Sequence, residues 1–312
     1  MALNADGGPR IHRLATFGLT TGNADRLAQF YRDAFGACLH ARERRSGARF
    51  ERLMGIRGGA DCVTIGLGRE TIELVQFDEP GQPYPHDVSA DDLRFQHFAI
   101  VVADMHEAMR RMTAIGGWTH ISRAAPQRLP HRSGDVTAFK FRDPDRHPLE
   151  LLAFPGNHVP AHWQAPTGGA VFLGIDHSAI SVRDTGRSIA FYEQIGLRTA
   201  GQTVNHGIEQ QRLDGVPDPH VEVTALLPAQ STPHLELLCY RVAARPTMTA
   251  LQSNDIAATR LLLETDAPAR MAAEHRTGSA EERIVDPDGH HLLISQCHRA
   301  GDSLLGSANS VA

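Results

Sequence analysis

Alternating apolar and polar residues run from Ile175 to Val182, and this period of two predicts a β-strand. The Asp184-Thr185-Gly186 segment predicts a turn into an amphipathic helix, and a second strand is expected near Arg198. The runs VEVTALLP and PHLELLCY alternate in the same way on either side of a turn that contains Pro and Ser. The whole segment therefore predicts a βαβββ unit.

The same order of elements recurs along the chain. Phe95 to Gly117 repeats the first strand and helix, and VTAFKFR and HPLELLAF supply closing strands. A further copy begins at LATFGLTTGNADRLAQFYRDAFG, and a shortened one comprises IAATRLLLETDAPARMAAEH and ERIVDPDGHHLLISQ. We number these modules 1 to 4 in chain order. Any α/β chain yields vague repeats, but modules 2 and 3 match closely, so we predict an α+β fold of four βαβββ modules paired into half-barrel bowls.

The connection PGNHVPAHWQAPTGGA has no hydrophobic periodicity and is rich in Pro, Gly and His, so it is the best candidate boundary. We predict an N-terminal domain of two modules at 10–155, a linker at 156–172 and a C-terminal domain of two modules at 173–297. The polar residues 298–312 predict a flexible tail.

Composition narrows the possible functions. The net charge is -5, with both signs interspersed, so neither nucleic acid nor a membrane surface is an expected partner. No apolar run is long enough to span a membrane, and the N-terminus lacks the apolar stretch of a signal peptide, which favours the cytoplasm. The four cysteines are far apart without a CxxC pair, so no disulfide framework or zinc ribbon is indicated. Small-molecule substrates remain, with a monomer or homodimer expected.

Two modules carry residues suited to metal binding at matching positions. His97 on the first strand and Glu150 on the last strand of module 2 correspond to His177 and Glu236 of module 3. Each His lies in the frame HFAIVV or HSAISV, and each Glu lies in the frame LELL. The matching positions are Thr16 and Glu73 in module 1, and Thr259 and Leu293 in module 4.

Imidazole and carboxylate groups suit Zn, Ni, Co, Mn or Fe(II), and four such ligands leave coordination positions open. Taken singly, a strand His is usually part of a hydrogen-bonded structure, and a Glu in LELL can face solvent. The repetition of the pair favours one divalent metal ion held by His97, Glu150, His177 and Glu236, with no nucleotide cofactor.

These segments resemble the vicinal oxygen chelate superfamily, which includes glyoxalase I, methylmalonyl-CoA epimerase, extradiol dioxygenases and metal-free bleomycin-binding proteins. The resemblance rests on IDHSAISVRDTGRSIAFYEQIGL with LELL, and on QHFAIVV with FRDPDRHPLELLAF. It implies paired modules around a divalent metal that polarises neighbouring oxygens of the substrate. If modules 2 and 3 share a bowl, the four residues resemble the ligand set of bacterial glyoxalase I. Pairing within each half, as in extradiol dioxygenases, stays open.

The quartet favours the first pairing and a lyase, isomerase or epimerase reaction through an enediolate, with Glu150 or Glu236 as the base. One alternative is an iron-dependent dioxygenase that uses His97, His177 and one Glu. The other alternative is a metal-free binding or resistance protein.

Other polar residues are weaker candidates. His206, Glu209 and Gln210 lie in a segment that resembles a pocket-lining region of epimerase-like relatives, although an ordinary hairpin fits equally well. Glu73 is a further candidate for substrate contact. The DPDRH and DPDGHH segments predict turns, so their histidines, His147, His290 and His291, are expected at the surface.

Overall fold

The computed structural model describes residues 9–157, 159–164, 169–241, 250–265 and 281–296. Module 1 contains β1 (Ile11–Thr20), α1 (Ala24–Phe35), β2 (Cys38–Arg45), α2 (Ala48–Met54), β3 (Ala60–Leu67) and β4 (Glu70–Phe77). Module 2 contains β5 (Gln96–Val102), α3 (Met105–Ile115), β6 (Thr119–His120), β7 (Gln127–Arg128), β8 (Thr137–Arg142) and β9 (Pro148–Ala153).

Module 3 contains β10 (Phe172–Ser181), α4 (Thr185–Gln194), β11 (Arg198–His206), α5 (Ile208–Asp214), β12 (His220–Leu227) and β13 (His234–Tyr240). Module 4 contains β14 (Arg260–Thr265), β15 (Glu281–Val285) and β16 (His291–Gln296). Short 3-10 helices occupy His131–Ser133, Pro155–Asn157 and Ala161–Trp163. The part of module 4 between β14 and β15 and the predicted tail lie outside the described residues.

The strands form two sheets, and each sheet combines modules from both halves of the chain. A nine-stranded sheet has the order β11-β12-β13-β10-β5-β9-β8-β6, with β7 paired to β8. A seven-stranded sheet has the order β15-β16-β14-β1-β4-β3-β2. Modules 2 and 3 therefore share one sheet and modules 1 and 4 share the other, which is the pairing favoured by the quartet. The α+β fold is confirmed, whereas the domain boundaries at 10–155 and 173–297 stay predictions.

Local sequence explains where the main helices begin. Asn23, Asp104 and Asp184 each precede a helix in an extended conformation, and each side chain accepts a hydrogen bond from the backbone N–H three residues later. Such caps satisfy donors that have no partner inside the helix. The apolar faces of these helices pack with both sheets in one core, where the Phe17 and Phe98 rings lie 5.5 Å apart. The opposite face of each sheet is left to form a bowl.

The two DPD turns make the same contacts in both halves. The Tyr31 hydroxyl donates to Asp143 over 3.2 Å, and the Tyr192 hydroxyl donates to Asp286 over 3.0 Å. The backbone N–H groups of His147 and His290 donate to these same two aspartates. Each turn thus joins the second module of one half of the chain to the helix of the first module of that half. The strands of these two modules lie in different sheets.

The histidines of these turns are buried, so their predicted surface location is wrong. His147 bonds through Nδ1 to Asp143 over 2.8 Å and through Nε2 to the Thr20 carbonyl oxygen over 2.9 Å. His290 Nε2 lies 3.0 Å from the Ser181 carbonyl oxygen, and His291 is buried as well. The type of turn could be predicted from the local residues, but the carbonyl groups that hold these rings belong to distant strands.

We expect Tyr192→Phe to lower the free energy of unfolding by about 2 kcal/mol, the usual contribution of a hydrogen bond to a charged group. The change removes only the hydroxyl that donates to buried Asp286. Urea denaturation followed by circular dichroism would measure it. Tyr84→Phe is the matched control, because the buried Tyr84 hydroxyl donates to no carboxylate among the described residues. Equal losses in the two variants would contradict the assigned contact.

Candidate metal centre

Four side chains converge where modules 2 and 3 meet at the centre of the nine-stranded sheet. In the antiparallel pair β5 and β10, His97 lies opposite Ala179 and His177 lies opposite Ala99. The parallel neighbours then place Glu150 beside Ala99 and Glu236 beside Ala179. Alternate residues of a strand share one face, so all four side chains are on the concave side, and the two alanines leave space between them.

The distances in this group are short. His97 Nε2 lies 3.1 Å from a Glu150 oxygen, and His177 Nε2 lies 3.6 Å from a Glu236 oxygen. Potential ligand atoms of His97, Glu150 and His177 all lie within 4.8 Å of one another. Glu236 adds a second carboxylate beside His177. The structure therefore brings together all four residues predicted as metal ligands.

The environment of His97 favours a neutral ligand. Burial, followed by the positive charge of Lys140, lowers the pKa of His97 to about 4. Neither ring nitrogen makes a hydrogen bond, because the close approach to Glu150 lacks hydrogen-bond geometry. A buried polar group without a partner is costly, and a metal ion would supply the missing interaction.

His177 is oriented by an adjacent carboxylate. Its Nδ1 lies 2.8 Å from Asp176 Oδ2, which leaves Nε2 directed at the other residues of the group. Burial opposes a charge on His177, but Glu236 and Asp176 outweigh it and raise the pKa to about 9. Carboxylates in this position commonly orient histidines that bind metals. His234, which was not predicted from sequence, lies 3.6 Å from the other Glu236 oxygen.

The only lysine of the chain is also buried at this centre. Lys140 Nζ lies 2.7 Å from Asp214 and 3.7 Å from Glu150. Asp214 also accepts hydrogen bonds of 2.7 Å from Gln210 Nε2 and from the Tyr240 hydroxyl. Burial opposes the charge on Lys140, but Asp214 and Glu150 outweigh it and raise its pKa. Lys140 is therefore a permanent cation next to one of the two glutamates.

The Glu150 and Glu236 side chains differ in exposure and in partners. Glu150 is 7% exposed, and Lys140 and His97 outweigh its burial and lower its pKa to about 2. Glu236 is 23% exposed, and the neighbouring His177 and His234 lower its pKa against the effect of burial. Both side chains are carboxylates at neutral pH, and Glu236 is the more exposed of the two.

A cavity of about 330 Å³ opens onto these residues. All four candidate ligands line it, together with Lys140 and Gln210. Leu152, Phe154, Leu213 and Leu238 supply apolar walls. This volume and mixture of a few polar groups with apolar walls are typical of a site for a small molecule.

Of the remaining candidates, only Gln210 lies at this cavity. Gln210 lines the cavity, whereas His206 is exposed at the end of β11 and stacks on His220 at 6.0 Å. Glu209 lies in the first turn of α5 and is not among the residues that line the cavity. Glu73 lies in the other sheet, in the bowl of modules 1 and 4. The structure thus does not bring Glu73 to the predicted metal ligands.

Strand register corrects one position in that second bowl. Gly18 lies opposite Arg260 and beside Glu73, as Ala179 lies opposite His97 and beside Glu236. Arg260, rather than the predicted Thr259, therefore corresponds to His97. Thr259 precedes β14, and the error of one residue arose because module 4 has no His in a recognisable frame.

These features define a protein of paired βαβββ modules with one complete set of candidate metal ligands and one altered copy of it. The sequence model of the Glyoxalase/Bleomycin resistance protein/Dioxygenase superfamily matches residues 10–151. The match covers less than half of the chain, and it shows that residues 10–151 are similar to that superfamily. Comparison with curated proteins gives no match.

Solved structures share the fold across most of the chain. Glyoxalase I from Zea mays is 17% identical with a TM-score of 0.54, and the alignment covers 91% of this chain and 92% of the maize chain. A proposed dioxygenase from Bacillus subtilis subsp. subtilis str. 168 is 10% identical with a TM-score of 0.53, over 92% of this chain and 86% of that one. No helix in the described ranges is long and apolar enough to cross a membrane.

Proposed function

We propose that the protein is a divalent-metal-dependent enzyme of glyoxalase type, a lyase, isomerase or epimerase that moves a proton within a small oxygenated substrate. The observation that carries the proposal is the convergence of buried His97, Glu150 and His177 with the partly buried Glu236 in one cavity. Two imidazoles and two carboxylates fit Zn, Ni, Co, Mn or Fe(II). The cytoplasmic location and the monomeric or dimeric state stay predictions.

The donor set fits a metal ion on the evidence of the side chains themselves. Among the described residues, buried His97 has no hydrogen-bond partner. The Glu150 carboxylate lies 3.1 Å from it, and Glu236 adds a second carboxylate beside His177. A bound divalent ion supplies Lewis acidity, which acidifies a C–H bond next to a coordinated oxygen. The protein would supply the base and a cavity that shields the reaction from water.

Glu236 is the better candidate for the base. Glu150 is held by Lys140 and His97, so its displacement would leave a buried lysine without one of its two carboxylate neighbours. Among the described residues Glu236 forms ion pairs with His177 and His234 but with no lysine or arginine, and its side chain is the more exposed of the two. A carboxylate oxygen of Glu236 can therefore turn toward the substrate and accept the proton, while Glu150 keeps its place.

An iron-dependent dioxygenase is the second candidate. The three mutually close residues are two histidines and one carboxylate, His97, His177 and Glu150, which is the donor set of non-haem iron oxygenases. In that case Glu236 would lie outside the coordination sphere. The two reactions differ in their need for oxygen.

Isotope exchange separates the candidates without knowledge of the natural substrate. The protein, stripped and reloaded with each metal in turn, would be incubated in D2O with α-hydroxy ketones, and with α-keto aldehydes with and without thiol. We expect metal-dependent deuterium incorporation at the carbon next to the carbonyl group, without oxygen consumption. Metal-dependent oxygen uptake with a catechol would favour the dioxygenase. Failure to bind any metal would favour a binding protein.

We expect Glu236→Gln and Glu150→Gln to have different effects. Glu236→Gln should abolish deuterium exchange, a fall of about 10²–10⁴-fold for the loss of a general base, and should retain most of the metal. Glu150→Gln should mainly weaken metal binding, because it removes the fixed ligand. Exchange rates at saturating metal, compared with metal affinity from competition with a chelator, would separate the two roles. The reverse pattern would assign the base to Glu150.

A further inference from the structure

The bowl of modules 1 and 4 has an arginine where the other bowl has a histidine ligand. By strand register, Arg260 corresponds to His97, Thr16 to His177, Leu293 to Glu150 and Glu73 to Glu236. Only Glu73 keeps a ligand-type side chain. The guanidinium of Arg260 thus occupies the position of a candidate metal ligand in the other bowl. The second bowl therefore contains a buried positive charge.

The backbone of β1 is shaped to admit this side chain. A Cβ atom at Gly18 would lie 3.3 Å from Arg260 Cβ and 3.6 Å from Arg260 Nε, so the arginine lies directly across the glycine. Its Nη1 atom donates to Thr20 Oγ1 over 2.9 Å and to the Ser253 carbonyl oxygen over 2.8 Å. These bonds fix the guanidinium from one side only.

The other side of the guanidinium has an unsatisfied donor. Arg260 is 1% exposed, and its Nη2 atom is buried without a hydrogen-bond partner. Within the described residues, no carboxylate forms an ion pair with it. Glu73 lies 2.6 Å from Arg45, and Glu281 lies 3.7 Å from Arg49, so these two carboxylates are paired with other arginines. Glu73 acts on Arg260 without direct contact and raises its pKa, so the desolvation of the buried cation is only partly offset.

Neighbouring groups respond to this positive charge. Burial, followed by the charges of Arg260 and Arg283, lowers the pKa of His291 to about 4. Burial also lowers the pKa of Arg260 itself to about 10, which still leaves it charged at neutral pH. His291 is therefore neutral at pH 7 beside a charged Arg260.

We propose that this second bowl binds a small oxyanion, of the size of one carboxylate group, on the guanidinium of Arg260. The bowl holds a cavity of about 60 Å³ lined by Arg260 and Arg45, by Thr16 and Leu293, and by the carboxylates Glu73 and Glu281. Each of the two carboxylates has another arginine as its ion-pair partner. The cavity is much smaller than the one of about 330 Å³ in the other bowl, so it suits an anion of a few atoms. The planar fork of a guanidinium matches two oxygens of such an anion.

The first test uses formate as the probe, at constant ionic strength maintained with chloride. We expect the Tm of the wild-type protein to rise with formate and to saturate, by about 5 °C at a concentration near 100 times the Kd. Arg260→Met should abolish this saturable rise. The Glu236→Gln variant, altered in the other bowl, should respond as the wild type does. A wild-type Tm that does not saturate, or an equal response in Arg260→Met, would overturn the proposal.

A second pair of variants tests the site if Arg260→Met fails to fold. Leu293 lines the same cavity and occupies the position that corresponds to Glu150, so Leu293→Glu places a carboxylate inside the bowl. Leu293→Gln has nearly the same shape without the charge. We expect the Glu variant to have the higher Tm at neutral pH, because it supplies the missing counter-ion. If the Tm of Leu293→Glu is equal to or lower than that of Leu293→Gln, the cavity contains no positive charge that can bind an anion, and the proposal is wrong.

Discussion

Alanine at either histidine of the nine-stranded sheet should release the metal ion, whereas alanine at the matching position of the other sheet should not. We expect wild-type protein to bind about one equivalent of divalent metal per chain, and His97→Ala and His177→Ala each to lose affinity by more than the ~10–100-fold typical of changes outside the ligand shell. His97 and His177 lie on adjacent strands of one cavity, so either loss should empty the same site. Elemental analysis after dialysis against a weak chelator would measure it.

Thr16→Ala is the matched control for this experiment. Thr16 corresponds to His177 by register but lies in the bowl of modules 1 and 4. The metal content of the Thr16→Ala variant should equal that of the wild type. Metal retained in both histidine variants would refute the assigned site, and metal lost from Thr16→Ala would move the site to the other sheet.

The second large effect is expected at Asp214, which accepts bonds from Lys140, Gln210 and Tyr240 at 2.7 Å each. Asp214→Asn removes the main counter-ion of a buried lysine and should lower the free energy of unfolding by about 3–5 kcal/mol. Replacement of both charges, as in Lys140→Met with Asp214→Leu, should cost less than the sum of the two single changes. Chemical denaturation of the wild type, Lys140→Met, Asp214→Leu and the double variant would give the coupling free energy between the two side chains.

Glu107→Gln is the control for the loss of an ordinary ion pair. Glu107 bonds to Arg110 and Arg111 on the exposed face of α3, where solvent screens the interaction. Its stability should match that of the wild type. An Asp214→Asn variant as stable as this control would contradict a buried network at the candidate metal centre.

Residues in repeated frames could be located from sequence, and those outside such frames could not. HFAIVV and HSAISV fix the faces of β5 and β10, because the period of two in a strand determines which residues share a side. In module 4 the frame is missing, so the position was placed one residue early, at Thr259, and a shift of one residue reverses the face of a strand. The arginine at the centre of the second bowl was therefore overlooked.

The Lys140 network was beyond sequence reasoning for a different reason. Asp214 ends α5, a helix inserted between β11 and β12, and its partners come from β8 and β13. The alternation of residues along β8 shows which side chains share a face with Lys140 but does not identify the buried face. Local patterns predict secondary structure and which residues share a face of a strand. Contacts between residues of separate modules depend instead on which strands pair at the edges of the modules.

The crossed pairing of modules has a consequence for how the protein can be divided. Neither half of the chain contains a complete sheet, since β5 of the first half pairs with β10 of the second, and β1 pairs with β14. Two fragments cut between these halves would each expose two unpaired strand edges and would depend on a bimolecular encounter to cover them. The covalent connection replaces that encounter with an effective local concentration, which is in the millimolar range for short flexible connections. Because one peptide segment joins the two halves, the assembly of both bowls does not depend on the concentration of the protein.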